Sequence, residues 1–160
     1  MIEKEQKNYL LEKVEAYCQK WNAFEADIFE QQGKEEAELR KEFPGVDFHY
    51  AKRTDWFKNF ASLITPLFDE YCTDKHRAYV DVKQHSFGFP VKFNGVEDSV
   101  ETNVELKNKN RAEVYIKTKT NFDDEYLFVL LRKADEWKID SYKNKRYRSE
   151  NGKTNCFKYF

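Results

Sequence analysis

The sequence predicts an α+β domain in which N-terminal helices pack on one face of a curved antiparallel sheet. Three observations predict it. Apolar side chains recur at three- and four-residue steps from Tyr9 to Cys72, the period of a helix with one buried face. The period changes to two after Thr73-Asp74-Lys75, which marks strands. From Asn110 to Tyr142, three strand-like runs follow one another through short polar connections, the order of an antiparallel meander.

The first helix rests on Leu10, Val14, Tyr17, Cys18, Trp21, Phe24, Ile28 and Phe29 and is expected to reach about Gln32. Gly33 should end or interrupt it, leaving a further short helix closed by Pro44-Gly45. Val46 to Arg53 reads as a loop pinned by Phe48 and Tyr50. Thr54 is the expected N-cap of a second long helix, Trp56 to Cys72. Pro66 should kink that helix, or break it with Thr65 capping a new turn.

In the sheet half, RAYVDVKQHSF sets Val80 and Val82 against Tyr79, Asp81, Lys83 and His85. Phe89 to Phe93 followed by Asn94-Gly95 is a hairpin signal. DSVETNVELK sets Val100, Thr102, Val104 and Leu106 against Glu101, Asn103, Glu105 and Lys107. In RAEVYIKTKT, Ala112, Val114, Ile116 and Thr118 face the core and Glu113, Tyr115, Lys117 and Lys119 the solvent. The run Tyr126 to Leu131 has no polar residue on either side, as expected of a central strand; it puts either Phe128 or Val129 in the middle of the outer face. The last run sets Trp137 and Ile139 inward and Lys138, Asp140 and Tyr142 outward. The whole reads as one domain, residues 1–160, with helices over about 4–74, the sheet over about 77–148 and a tail at 149–160.

Charged residues make up 36% of the 160, but 28 basic side chains nearly balance 29 acidic ones. That balance argues against a general nucleic-acid or membrane-surface binder. Locally, Met1 to Glu42 carries 11 acidic and 7 basic residues, and Lys138 to Phe160 carries 7 basic and 2 acidic. The basic tail therefore reads as a solvated edge hairpin around Asn151-Gly152, with Tyr147 and Phe157 packed down and the acidic first helix as counter-charge. Cys18, Cys72 and Cys156 have no CxxC spacing, and the first two lie on apolar stripes as small hydrophobes. No apolar leader or membrane-length run is present, so a reducing cytoplasm is expected.

Several segments together resemble the cone-shaped nuclear-transport-factor-like (cystatin-like) fold: LFDEYCTDKHRAY from Leu67 to Tyr79, the Phe89-Pro90-Val91 step, Ile116-Lys117-Thr118, and EYLFVLLRKADEWKID from Glu125 to Asp140. Within that fold the chain is similar to the bacterial immunity proteins of the Rhs-associated (RhsIA-type) group, over Trp21 to Tyr142. The resemblance implies a cytoplasmic antitoxin that binds a cognate polymorphic toxin, as in Rhs or type VI secretion systems. It implies no cofactor and no catalysis.

The fold also hosts isomerases and dehydratases, whose chemistry needs acid–base residues inside the cone. Asp81, His85 and Asp140 alternate out of phase with their apolar neighbours and should point away from the helices; Tyr126 could face either way. The expected interior positions, Val80, Val82, Val100, Val104, Val114, Ile116, Trp137 and Ile139, include no proton-handling pair. His49, His76 and His85 lack metal-ligand spacing. No phosphate loop or nucleophile elbow is present. The expected partner surface is thus the outer sheet face: Tyr79, Asp81, Lys83, His85, Glu113, Tyr115, Lys117, Asp140 and Tyr142. The alternatives are a small-molecule-binding or enzymatic cone, and a homodimer.

Overall fold

The computed structural model describes residues 2–75, 87, 91–120 and 123–145, together with the backbone of 158–159. Helix α1 (Glu3–Glu42) and helix α3 (Trp56–Tyr71), joined through the short α2 (Asp47–Tyr50), form one layer. The other is a sheet that among the described residues has five strands, in the order β1 (Glu101–Asn108), β2 (Arg111–Lys117), β3 (Glu125–Lys133), β4 (Glu136–Lys145) and β5 (Lys158–Tyr159), all adjacent pairs antiparallel. The α+β expectation of helices on an antiparallel sheet therefore holds. The expected strand at Val80–Val82, the Phe89-Pro90 step and the hairpin at Asn151-Gly152 fall outside the described residues.

The helices depart from expectation at two breakers and one N-cap. Helix α1 runs unbroken through Gly33 for 40 residues. One interior glycine costs only about 1 kcal/mol relative to alanine, and the helix beyond it is tied down. Glu35 accepts from the backbone N–H of Thr54 at 3.0 Å and the Trp56 indole at 3.1 Å, while Glu36 pairs with Arg53 at 2.7 Å. A Cβ at Gly33 would meet nothing within 4 Å. Gly33→Ala should therefore stabilise the protein by about 0.5–1 kcal/mol, seen as a urea midpoint that rises with an unchanged slope.

The N-cap of α3 is Asp55, whose carboxylate accepts from the Lys58 N–H, and not Thr54, whose hydroxyl donates to Glu35 instead. Pro66 lies inside α3 without ending it, and Thr65 donates back to the Ala61 carbonyl at 2.7 Å where it was expected to cap a new turn. Ile64, Leu67, Phe68 and Tyr71 bury the helix on either side of the proline, and such burial outweighs a penalty of about 3 kcal/mol. Where the segment Val46 to Arg53 was expected to be all loop, it contains α2, and in that turn of helix Phe48 is buried, with the guanidinium groups of Arg40 and Arg53 at 4.4 and 4.6 Å from its ring. Tyr50, expected to help pin the loop, is 86% exposed.

The expected Phe93/Asn94-Gly95 hairpin is instead a chain of tight turns, Val91–Gly95, leading into a 3-10 turn at Val96–Asp98. Gly95 takes φ +87°, and a Cβ there would sit 2.7 Å from the Thr120 methyl, so the position requires glycine. These turns insert Phe93 into the space between the layers. Its ring centroid lies 5.3–6.0 Å from those of Tyr17, Trp21, Tyr126, Phe128 and Tyr142. Asn22 clamps the Phe93 backbone from both sides, donating to its carbonyl at 3.0 Å and accepting from its N–H at 3.1 Å.

In β2 the expected alternation holds: Ala112, Val114 and Ile116 are buried, as is Thr118 just beyond. Val100 does not follow its expected phase. It precedes β1, the outermost strand of the sheet among the described residues, and is 55% exposed. The last strand holds the main correction. Val129 pairs with Ser141 but Leu130 pairs with Ile139, so Asp140 is an extra residue, a β-bulge. A bulge reverses the phase of everything after it. Trp137 and Ile139 point inward as expected, but Tyr142 also turns inward, buried and stacked on Phe128 at 5.5 Å.

Candidate partner-binding surface

With the phases established, the outer sheet face can be built row by row. Arg111, Leu131 and Lys138 lie across from one another, then Glu113, Val129 and Ser141, then Tyr115, Leu127 and Lys143, then Lys117, Glu125 and Lys145. Strand β3 gives its alternate residues Tyr126, Phe128 and Leu130 to the core, so Leu127, Val129 and Leu131 form an apolar stripe down the centre of the opposite face. Val129, and not Phe128, is the residue at its middle. It is only 7% exposed although it lies outside the core cluster, so its neighbours on this face cover it.

Charged pairs flank the stripe. Lys107 reaches Glu105 at 2.9 Å and Glu113 at 3.4 Å; Glu105 first, then Glu113, holds the Lys107 amine above its ordinary value. The Tyr115 hydroxyl donates to Glu125, whose other oxygen lies 3.8 Å from Lys145. The face is thus an apolar strip between tethered charges and one anchored tyrosine, a composition suited to protein contact.

Of the residues expected on this surface, Glu113, Tyr115 and Lys117 lie together on it, each half-buried. Tyr142 is removed to the core by the bulge. Asp140 sits at the bulge itself, accepting from the Thr73 hydroxyl at 3.0 Å and from Lys75 at 3.3 Å. There the chain leaving α3 pairs with the sheet, the Thr73 N–H donating to the Ile139 carbonyl at 2.9 Å. Tyr79, Asp81, Lys83 and His85 lie outside the described residues.

Between the layers, two groups appear that the sequence reading placed nowhere. Glu25, 5% exposed, accepts from the Trp21 indole at 3.2 Å and from the Lys92 backbone N–H at 2.7 Å. The Lys92 amine is inaccessible to solvent and lies 4.7, 5.1 and 5.6 Å from the ring centroids of Trp21, Tyr142 and Phe93. Burial pulls its pKa down to about 7, against the opposing pull of Glu25. The expectation of an interior without titratable groups is therefore wrong at these two positions. Tyr126 faces inward, its hydroxyl donating to the Lys92 carbonyl at 3.2 Å. A signal for Glu25 was present, since it falls on the Trp21–Ile28 stripe at a helical step from each; Lys92, between Val91 and Phe93, had none.

Tyr17 and Cys18 are fully buried, and burial raises both pKa values, keeping them protonated. Among the described residues no group of His, Cys, Asp and Glu converges to hold a metal ion, and no helix is long and apolar enough to cross a membrane.

Comparison with known proteins adds one finding: the family model for the NTF2 fold immunity proteins matches residues 48–155. No curated protein and no solved structure matches.

Proposed function

Because the chain belongs to the NTF2 fold immunity proteins, whose members counter toxins, we propose that it neutralises a cognate polymorphic toxin of the Rhs or type VI secretion kind. It does so in the cytoplasm, by covering the toxin's active site or substrate groove in a one-to-one complex, and has no catalysis or cofactor of its own. The observation that carries the non-catalytic reading is the interior. Where a cone-shaped enzyme would seat substrate, Phe93 fills the described space among five aromatic rings and is itself fully buried.

Binding is assigned to the outer face around Tyr115, Lys117, Glu113 and the Leu127–Leu131 stripe. Aromatic and aliphatic groups there supply contact area, and tethered charges supply selectivity. The expected result for Tyr115→Ala with Lys117→Glu is a Kd for the toxin raised by at least about tenfold with an unchanged unfolding midpoint. An unchanged affinity in a calorimetric titration would remove this face. The alternative, a ligand-binding or isomerase-like cone, has Glu25 and Lys92 as an interior acid–base pair among the described residues. It requires that a small molecule displace Phe93, which a change in Trp21 fluorescence on ligand addition would report.

A further inference from the structure

At one corner of the outer face, the C-terminal end of α3 and the β3–β4 hairpin enclose a cleft of about 910 Å³. Leu131 and Lys138 belong both to the cleft wall and to the outer face, so the apolar stripe runs into it without a break. Its apolar lining is Phe68, Cys72, Leu131 and Ala134. The hairpin beside it is held in shape: Ala134 and Asp135 take φ +52° and +61°, and Arg132 pairs with Asp135 at 2.7 Å.

Charge decides what fits. Of the cations on the lining, Lys138 is committed, donating to the Asp69 and Glu70 carbonyls at 2.8 and 3.2 Å where α3 ends. Lys75 is committed to Asp140. Asp69 and Asp74 are exposed and their carboxylates take part in no hydrogen bond or ion pair among the described residues, and the same holds for the Lys133 amine. Two uncommitted carboxylates against one uncommitted amine, around an apolar lining, suit a long cationic side chain: its methylenes lie along Leu131 and its head meets the aspartates.

The geometry points to this cleft as the anchor for an arginine-type side chain of the toxin, one that fixes how the toxin lies on the outer face. The inference rests on the immunity reading above and adds the partner's local chemistry. Because the contact is charge-based, opposite substitutions should act in opposite directions, which damage to the fold would not do.

The test is a calorimetric titration of the toxin domain encoded beside this gene into the natural protein, Asp74→Lys and Lys133→Glu. Asp74→Lys should raise Kd by about tenfold or more, and Lys133→Glu should lower it severalfold. Both effects should shrink at high salt. If the natural protein binds and both variants keep its Kd within twofold, or the order reverses, the cleft is not the anchor while the immunity reading stands. If the natural protein itself neither binds nor inhibits that toxin, the immunity reading fails and this inference with it. A change confined to self-association, seen by sedimentation, would give the cleft to a second copy of the chain and overturn the proposal.

Discussion

Phe93→Ala is expected to remove about 4 kcal/mol of stability, a large part of what a domain of this size possesses. The side chain is fully buried and meets rings from α1, β3 and β4 at once. The loss therefore combines transfer of a large apolar group with a cavity that rigid neighbours on both layers cannot collapse. Phe93→Leu keeps most of the volume and should cost about 1–1.5 kcal/mol. Urea unfolding followed by tryptophan fluorescence measures both, since Trp21 lies at the edge of the cavity. A loss below about 1 kcal/mol for the alanine variant would mean that the Val91–Gly95 turns do not seat this ring between the layers.

The second large effect is a dependence of stability on pH set by Lys92. Its amine is charged in the unfolded chain up to the ordinary lysine value near 10.5, but in the folded protein only up to about 7. Between those values the unfolded state holds a proton that the native state lacks, so stability rises with pH across the window; below about 7 both states are protonated and the dependence disappears. The limiting slope is about 1.4 kcal/mol per pH unit. The natural protein should thus gain about 2 kcal/mol between about pH 7 and the ordinary thiol value near 9, whereas Lys92→Met should give a nearly flat profile there; at higher pH the unfolded chain loses the Cys18 proton that the native state keeps, which lowers the stability of both proteins. Equal slopes for the two proteins would show that the amine is not held among Trp21, Phe93 and Tyr142. In function, the device ties the turn to α1, because the same residue's backbone N–H rests on Glu25.

How far the sequence could be read depended on whether periodicity ran undisturbed. In β2, where no residue interrupts the ladder, alternation placed Ala112, Val114, Ile116 and Thr118 correctly. In β4 the pattern Trp-Lys-Ile-Asp-Ser-Tyr looks regular, yet Asp140 bulges. A side-chain pattern cannot reveal a bulge when the residue after it is a small serine, and so Tyr142 was assigned to the wrong face. The continuous run Tyr126 to Leu131 left its phase open, and only the register against β2 turned Leu127, Val129 and Leu131 outward. Two breakers fail to end their helices for a similar reason: Gly33 is overridden by the contacts of Glu35 and Glu36 with Arg53, Thr54 and Trp56, and Pro66 by the burial of α3 on either side of it. The cleft needed coordinates, because it joins α3 to the β3–β4 hairpin, segments more than fifty residues apart in the chain.

The most direct trial of neutralisation is a stoichiometric one: the activity of a candidate cognate toxin domain, followed while the purified protein is added. One-to-one occlusion predicts that activity falls linearly and reaches zero at one equivalent, with no change in any small molecule that the protein alone is given. Full toxin activity in the presence of several equivalents, or inhibition that requires turnover by this protein, would contradict it.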